Sequence, residues 1–144
     1  MKIPVKILDK RAQMPTFGSA YSAGADLHAC LTSPVSLAPG QTLMISIGIA
    51  MEIPKGYVGL VFARSGLALR NGLAPANKVG VVDSDYRGEF HIALHNHSEK
   101  VQIVQPGDRI AQLIIMPAPP VEFMLTDELS ATERGEGGFG STGK

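Results

Sequence analysis

The chain has one cysteine, no tryptophan, no excess charge of either sign and no long apolar run, and each shortage removes a class of protein. Cys30 has no second thiol for an internal disulfide and no zinc-ligand spacing around it. It reads as a small buried apolar residue in a chain made for a reducing compartment. Thirteen Lys and Arg balance thirteen Asp and Glu. No global field therefore draws the chain to nucleic acid or an anionic membrane, and any polyanion must be met by a local cluster of cations. No segment reaches the roughly 18 apolar residues of a membrane helix, and Met1 to Leu8 lacks the continuous apolar core of a signal peptide. The expectation is a cytoplasmic protein with neither a nucleic-acid nor a membrane partner.

What the chain does contain is turn formers and alternation. At 144 residues it forms one domain, large enough to bury about 68–70 % of its unfolded surface, so no cofactor is needed to hold it together. Sixteen glycines and ten prolines are spread along it, which suits many short strands joined by turns. Ile3, Val5 and Ile7 alternate as an edge strand next to Pro4, and Arg11 to Ser22 reads as loop. Leu43, Ile45, Ile47, Ile49, Met51 and Ile53 alternate without a break and read as one long strand. Gly56 to Phe62 and Arg109 to Met116 add two more, and Val121 to Leu125 reads as a last one. The fold class is all-β. The one exception lies between Ala63 and Gly72, where Ser65 is a candidate N-cap and Asn71-Gly72 a left-handed stop, so a single short helix is expected.

The chemistry is concentrated in Gly80 to Glu89. Val79, Val81 and Asp83 share a face by period-two alternation, which puts a carboxylate where apolar side chains point. A turn-rich set follows and then Phe90 to Leu94 alternates again, so the stretch reads as a β-hairpin. Either Asp83 closes a turn and Tyr86 fills a core corner, or the mouth of the hairpin uses its free backbone groups to read a small planar ligand. Asn77, with an amide that donates and accepts, lies six residues before Asp83.

Elsewhere two roles also compete for each residue. Asp26 faces away from the row Ala25, Leu27, Ala29, Leu31. It is either a solvated strand carboxylate or a partner, direct or through water, of a hard cation such as Mg²⁺. Ser65 either caps the helix beside a surface Arg64, or the two form a phosphate site at its N-terminus. Gln112 lies inside an apolar strand and needs partners. His95 and His97 share a strand face, but with no third ligand they do not close a metal site. Gly138 to Lys144 nearly spells a phosphate loop, yet no helix follows, and that reading is rejected. The end from Ser130 to Lys144 is either a disordered terminus or an arm in which glycines flank Phe139 and Arg134, Ser141 and Thr142 supply anion contacts.

Five stretches in order carry a resemblance over nearly the whole chain: Ala23-Gly24-Ala25-Asp26-Leu27, Ala63 to Leu67, Gly80 to Gly88, Gly107 to Leu113, and Arg134 to Gly143. Together they closely resemble the trimeric dUTPases. The resemblance implies a β jelly roll over 1–129 with a flexible arm over 130–144 that closes over a neighbour's site in a homotrimer. It implies hydrolysis of dUTP to dUMP and pyrophosphate with Mg²⁺, a reaction that limits uracil in DNA. Asp83 would be the general base for water attacking the α-phosphorus, and Tyr86 would lie beneath the deoxyribose. Asn77, with the ribbon backbone of Gly80, Val81, Val82 and His91, would read uracil. Arg64, Ser65, Gly66 and Gln112 would hold the phosphates, with Asp26 meeting Mg²⁺ through water. Arg134, Ser141 and Thr142 would clamp the γ-phosphate, and Phe139, next to Gly140, would stack on the base. The alternatives are a dCTP deaminase-type relative, which attacks the base instead, and a non-catalytic module that senses nucleotide to regulate a partner.

Overall fold

The computed structural model describes residues 1–138. Among them the chain runs β1 (Val5–Ile7), β2 (Thr16–Phe17), β3 (Ala25–His28), β4 (Val35–Leu37), β5 (Thr42–Ser46), β6 (Ile49–Met51), β7 (Tyr57–Phe62), α1 (Ser65–Asn71), β8 (Leu73–Pro75), β9 (Val79–Val82), β10 (His91–Asn96), β11 (Gln102–Val104) and β12 (Arg109–Pro117). All pairings are antiparallel. One sheet has the order β2-β3-β12-β7-β9, a second β5-β10-β8, and β1 with β6 and β4 with β11 make two ribbons. This is the all-β jelly roll expected, with one short helix. No helix of the described residues is long and apolar enough to cross a membrane.

The core joins all four sheets. Leu27, Val61 and Ile110 meet Ile45 and Leu94 from the second sheet, Ile49 and Met51 from β6, and Leu37 and Val104 from the ribbon β4–β11. Burying each Leu or Ile stabilises the fold by about 1.5–3 kcal/mol. The longest strand, β12, sits between β3 and β7, and its buried Ile110, Ala111 and Leu113 explain its apolar sequence. Asn96 is fully buried in the middle of this core. Its amide donates to the carbonyls of Leu37 (2.9 Å) and Lys100 (2.8 Å) and accepts from the Ser98 amide (2.9 Å) and hydroxyl (2.8 Å). Four bonds thus satisfy a polar group that would otherwise be costly there.

Three expectations about the elements are corrected. The run Leu43 to Ile53 is two strands in different sheets, β5 and β6, because Gly48 takes a left-handed φ of 72°. The alternation survives the bend, so Ile45, Ile47, Ile49, Met51 and Ile53 all still reach the core. Val121 to Leu125 forms no strand. Val121, Phe123, Met124 and Leu125 stand exposed, since alternation cannot make a strand without another strand to pair with. The loop Arg11 to Ser22 contains the two-residue β2, paired with β3.

Gly48 has no room for a side chain. An added Cβ would lie 2.7 Å from Cys30 Sγ and 2.8 Å from Ala12 Cβ. Gly48→Ala combines this overlap with a left-handed backbone, so it should destabilise the chain by at least about 2 kcal/mol. Chemical denaturation of the two proteins measures the difference, and equal midpoints would contradict the tight packing of this turn.

Candidate active site

Asp83 does not sit at the mouth of a paired hairpin. β9 pairs with β7, and β10 pairs with β5 and β8, so the chain from Asp83 to Phe90 crosses from one sheet to the other. β9 is the last strand of its sheet, and β8 pairs β10 only from Leu94 onward. Two strand edges therefore face an opening. The result is a cavity of about 550 Å³ walled by Gly80, Val81, Val82 and Asp83 on one side and by Phe90, His91, Ile92 and Ala93 on the other, with Asn77, Tyr86 and Glu89 at its ends. That size suits a small molecule rather than a macromolecule.

The face shared by Val79, Val81 and Asp83 is the open one. Val81 is 64 % exposed and Asp83 is exposed, so the carboxylate is not buried among apolar side chains as the alternation implied. Its strand lies at an edge with no layer packed over it. Tyr86 does not fill a core corner either. It is half-exposed, its hydroxyl donates to the Glu89 carbonyl at 2.9 Å, and its ring stands 6.2 Å from that of Phe90 at 44°. Gly88 permits this, because a Cβ there would lie 2.8 Å from Tyr86 Cε2.

A second cluster forms around Asp26. The expectation of a solvated carboxylate fails: Asp26 is 8 % exposed. It accepts from Arg64 Nε at 2.6 Å and from Arg109 Nη1 at 3.1 Å. Both carboxylate oxygens are thus occupied by guanidinium groups, which balance the buried charge. Arg64 Nη1 also donates to the Arg109 carbonyl at 3.3 Å. Ser65 caps nothing; Arg64 takes the N-cap position without a side-chain cap bond, so the hydroxyl of Ser65 is left for another partner. Gln112 donates to the Ala63 carbonyl at 2.8 Å and leaves no room for a side chain at Gly24. The β3–β12 register shifts between Arg109 and Ala111, so that Gln112 opposes Asp26. Sequence reasoning missed Arg109; its only signal was a cation at the start of the strand that carries Gln112.

None of Asp26, Arg64, Ser65, Gly66, Gln112 or Arg134 lines the cavity that holds Asp83. Across the first sheet Asp26 opposes Gln112, Gln112 opposes Phe62, and Phe62 opposes Val79. With strands about 4.8 Å apart, Val79 lies roughly 14 Å from Asp26, and Asp83 lies four residues farther along, so the two clusters are separated by roughly 20 Å. Arg134 is turned to its own segment, donating to the Gly137 carbonyl at 2.7 Å. Phe139, Gly140, Ser141 and Thr142 lie outside the described residues.

No group of three His, Cys, Asp or Glu able to hold a metal occurs among the described residues. With both its oxygens engaged, Asp26 does not fit as a direct ligand of a bare cation. A cation that brings its own phosphate oxygens and waters is a different case, since Mg²⁺ commonly keeps several waters beside substrate phosphates. The His95 and His97 rings meet edge-on at 4.3 Å, and His95 Nδ1 lies 2.8 Å from the Thr42 hydroxyl.

Comparisons with known proteins place these features. The family model described as dUTPase matches residues 10–143. The chain is 44 % identical to the deoxyuridine 5'-triphosphate nucleotidohydrolase of Paraburkholderia xenovorans (strain LB400), covering 100 % of this chain and 99 % of that one. It is 42 % identical to the protein of the same name from Burkholderia ambifaria (strain MC40-6), with the same coverage. Among solved structures it is similar to the Staphylococcus bacteriophage 80alpha dUTPase with dUPNHPP, at a TM-score of 0.87 and 30 % identity over 99 % of both chains. It is also similar to the dUTPase from phage phi11 of S. aureus, at 0.82 and 25 % over 92 % of this chain and 100 % of that one.

One histidine of the second cluster sets a pH dependence. His28 is buried and its Nδ1 has no hydrogen-bond partner. Burial lowers its pKa below the usual 6.5; Asp26 opposes the shift while Arg109 and Arg64 add to it. The unfolded chain takes up a proton at His28 as pH falls through about 6.5, and the folded chain does so only lower. The stability this residue contributes is complete above that pH and is lost as pH drops toward the folded value. His28→Leu should therefore flatten the decline of folding stability below pH 6.5, measured by denaturation across pH. An unchanged slope would contradict it.

Proposed function

This chain belongs to the dUTPase family and hydrolyses dUTP to dUMP and pyrophosphate, and on that premise we propose how its own residues divide the work. The base enters the cavity between the edges of β9 and β10. There Asn77 and the backbone of Gly80, Val81, Val82 and His91 offer donors and acceptors to one edge of uracil. Cytosine presents the reverse pattern, so it would leave these groups unpaired, a penalty that can reach about 10⁴-fold. Thymine differs by a methyl group, which only a close wall can exclude. Tyr86, held over Gly88, lies under the sugar and leaves no room for a 2′-hydroxyl.

Asp83 orients a water in line with the α-phosphorus and accepts its proton. The new P–O bond forms as the bond to the bridging oxygen breaks and pyrophosphate leaves. Asp83 is open to solvent, so water reaches its carboxylate directly, and the arriving nucleotide supplies the enclosure. Arg64, Ser65, Gly66 and Gln112 hold the phosphates. In this reading Arg64 exchanges Asp26 for a phosphate oxygen, leaving Asp26 with Arg109 and free to meet bound water. The family is generally Mg²⁺-dependent; the ion, when bound to the triphosphate, would disperse charge on the phosphates, with Asp26 meeting it through water. Residues 130–144 act as an arm: Arg134, Ser141 and Thr142 clamp the γ-phosphate, and Phe139, followed by Gly140, stacks on the base, which is worth about 1–3 kcal/mol.

The observation that carries this reading is the separation of the two clusters. A gap of roughly 20 Å is wider than three linked phosphates can bridge, so one chain cannot present Asp83 and Arg64 to the same nucleotide. A homotrimer, in which each site takes Asp83 from one copy and the phosphate residues from another, resolves this. The exposed Val121, Phe123, Met124 and Leu125 are the kind of surface such an assembly covers. The deaminase alternative has no support in the relatives, whose names describe hydrolases of dUTP.

Two experiments test it. Asp83→Asn should retain dUTP binding and lose at least about 10²-fold in turnover, measured as pyrophosphate release; near-normal turnover removes Asp83 from the mechanism. Asp83→Asn and Arg64→Ala, each inactive alone, should regain activity when dissociated and reassembled together, because mixed assemblies contain intact composite sites. If the mixture stays as inactive as its parts, both residues act from the same copy and the shared site is wrong.

A further inference from the structure

Glu89 lines the cavity, and its two ends hold different parts of the wall. Its carboxylate accepts from the Ser46 hydroxyl and from the Gly48 amide, the latter at 3.1 Å, and its other oxygen lies 3.7 Å from His91 Nε2. Its main-chain carbonyl accepts from the Tyr86 hydroxyl at 2.9 Å and lies 3.1 Å from His91 Nδ1. A carbonyl only accepts, so Nδ1 carries the proton there. One residue therefore touches the aromatic and the imidazole of the cavity on one side and a turn of the core on the other.

That turn is rigid. Gly48 is packed against Cys30 and Ala12, and its carbonyl accepts from the Leu8 amide at 2.8 Å. The segment after Glu89 does not need the carboxylate in order to join the sheet. Ile47 donates to the Phe90 carbonyl at 2.9 Å, and Phe90 donates to the Ile49 carbonyl at 2.8 Å. What these bonds leave undetermined is the loop from Ser84 to Gly88, whose aromatic side chain ends on the Glu89 carbonyl.

We propose that Glu89 is a positioning residue for sugar recognition, clamped to the Ser46–Gly48 turn so that the Tyr86 ring is held at the height where a 2′-hydroxyl collides. The inference rests on the reading of Tyr86 as the surface beneath the sugar. A shift of the ring by a fraction of an ångström opens the space that excludes a ribonucleotide, whereas the reacting phosphorus, held from another cluster, is less affected.

The test is steady-state kinetics of the full chain on dUTP and UTP, reported as the ratio of their kcat/KM values. Partial unfolding scales both substrates equally and leaves this ratio alone, so a merely structural role does not move it. Glu89→Ala should lower the preference for dUTP by at least about tenfold, chiefly by admitting UTP. Glu89→Gln, whose amide oxygen still accepts from Ser46 and Gly48, should recover most of it. Ser46→Ala, which removes one anchor and keeps the carboxylate, should lower it by less and serves in place of Glu89→Ala if that variant does not fold. An unchanged ratio in Glu89→Ala, or in Ser46→Ala when it stands in, overturns the proposal. Tyr86→Ala separates the two ideas: a retained ratio there removes the sugar-platform reading and this inference with it, while a ratio lost with Tyr86→Ala and kept with Glu89→Ala overturns the inference alone.

Discussion

The site depends on a strand that is hydrogen-bonded along one side only. Backbone amides and carbonyls in a folded chain are almost always paired, and β9 satisfies that demand through β7 alone. Its free edge looks across a gap at the part of β10 that β8 does not reach. A gap between two strand edges supplies donors and acceptors in fixed positions without spending a side chain on each. It can read the edge of a flat heterocycle more sharply than flexible side chains could. The position of the proposed catalytic carboxylate follows from the same fact, since Asp83 is the first residue after this edge strand.

The second cluster works by a different principle. Asp26 is buried on β3 and tied to two guanidinium groups, which stores cationic capacity close to the surface without leaving it free to bind stray anions. On the proposed reading, a triphosphate that offers several oxygens at once would compete better for Arg64 than a single small anion. Arg109 makes the exchange tolerable, because Asp26 is never left as an unpaired charge in a buried place. On that reading, selectivity for a polyphosphate would arise from the strength of an internal ion pair as well as from contacts to the ligand.

Much of this was legible in the chain. The all-β class and the short helix ended by Gly72 follow from alternation and turn chemistry, which act over neighbouring residues, while the grouping of Gly80 to His91 at one site comes from the family resemblance. What was not legible depends on partners distant in sequence. The break at Gly48 is invisible to a period-two pattern, because the side chains keep alternating through the bend. The exposure of Val81 and Asp83 reverses the expected face because periodicity says which residues share a side and not which side meets the core. The pairing of β9 with β7 instead of β10 is a choice between sheets, and adjacent sequence biases it the wrong way. Arg109 and Glu89 escaped notice because a charged residue next to a strand is ordinary until the fold shows what it touches.

The shifted register between β3 and β12 decides which side chains of β12 meet Asp26. In an unbroken ladder, Ala111 would stand opposite Asp26 and Gln112 opposite Ala25; the extra residue on β12 moves Gln112 into place. Residues three apart on a regular strand face opposite sides, and it is the bulge at Ile110 that lets Arg109 and Gln112 both reach the side of Asp26. The spacing of that short segment therefore decides the composition of the cluster as much as the identity of either side chain does.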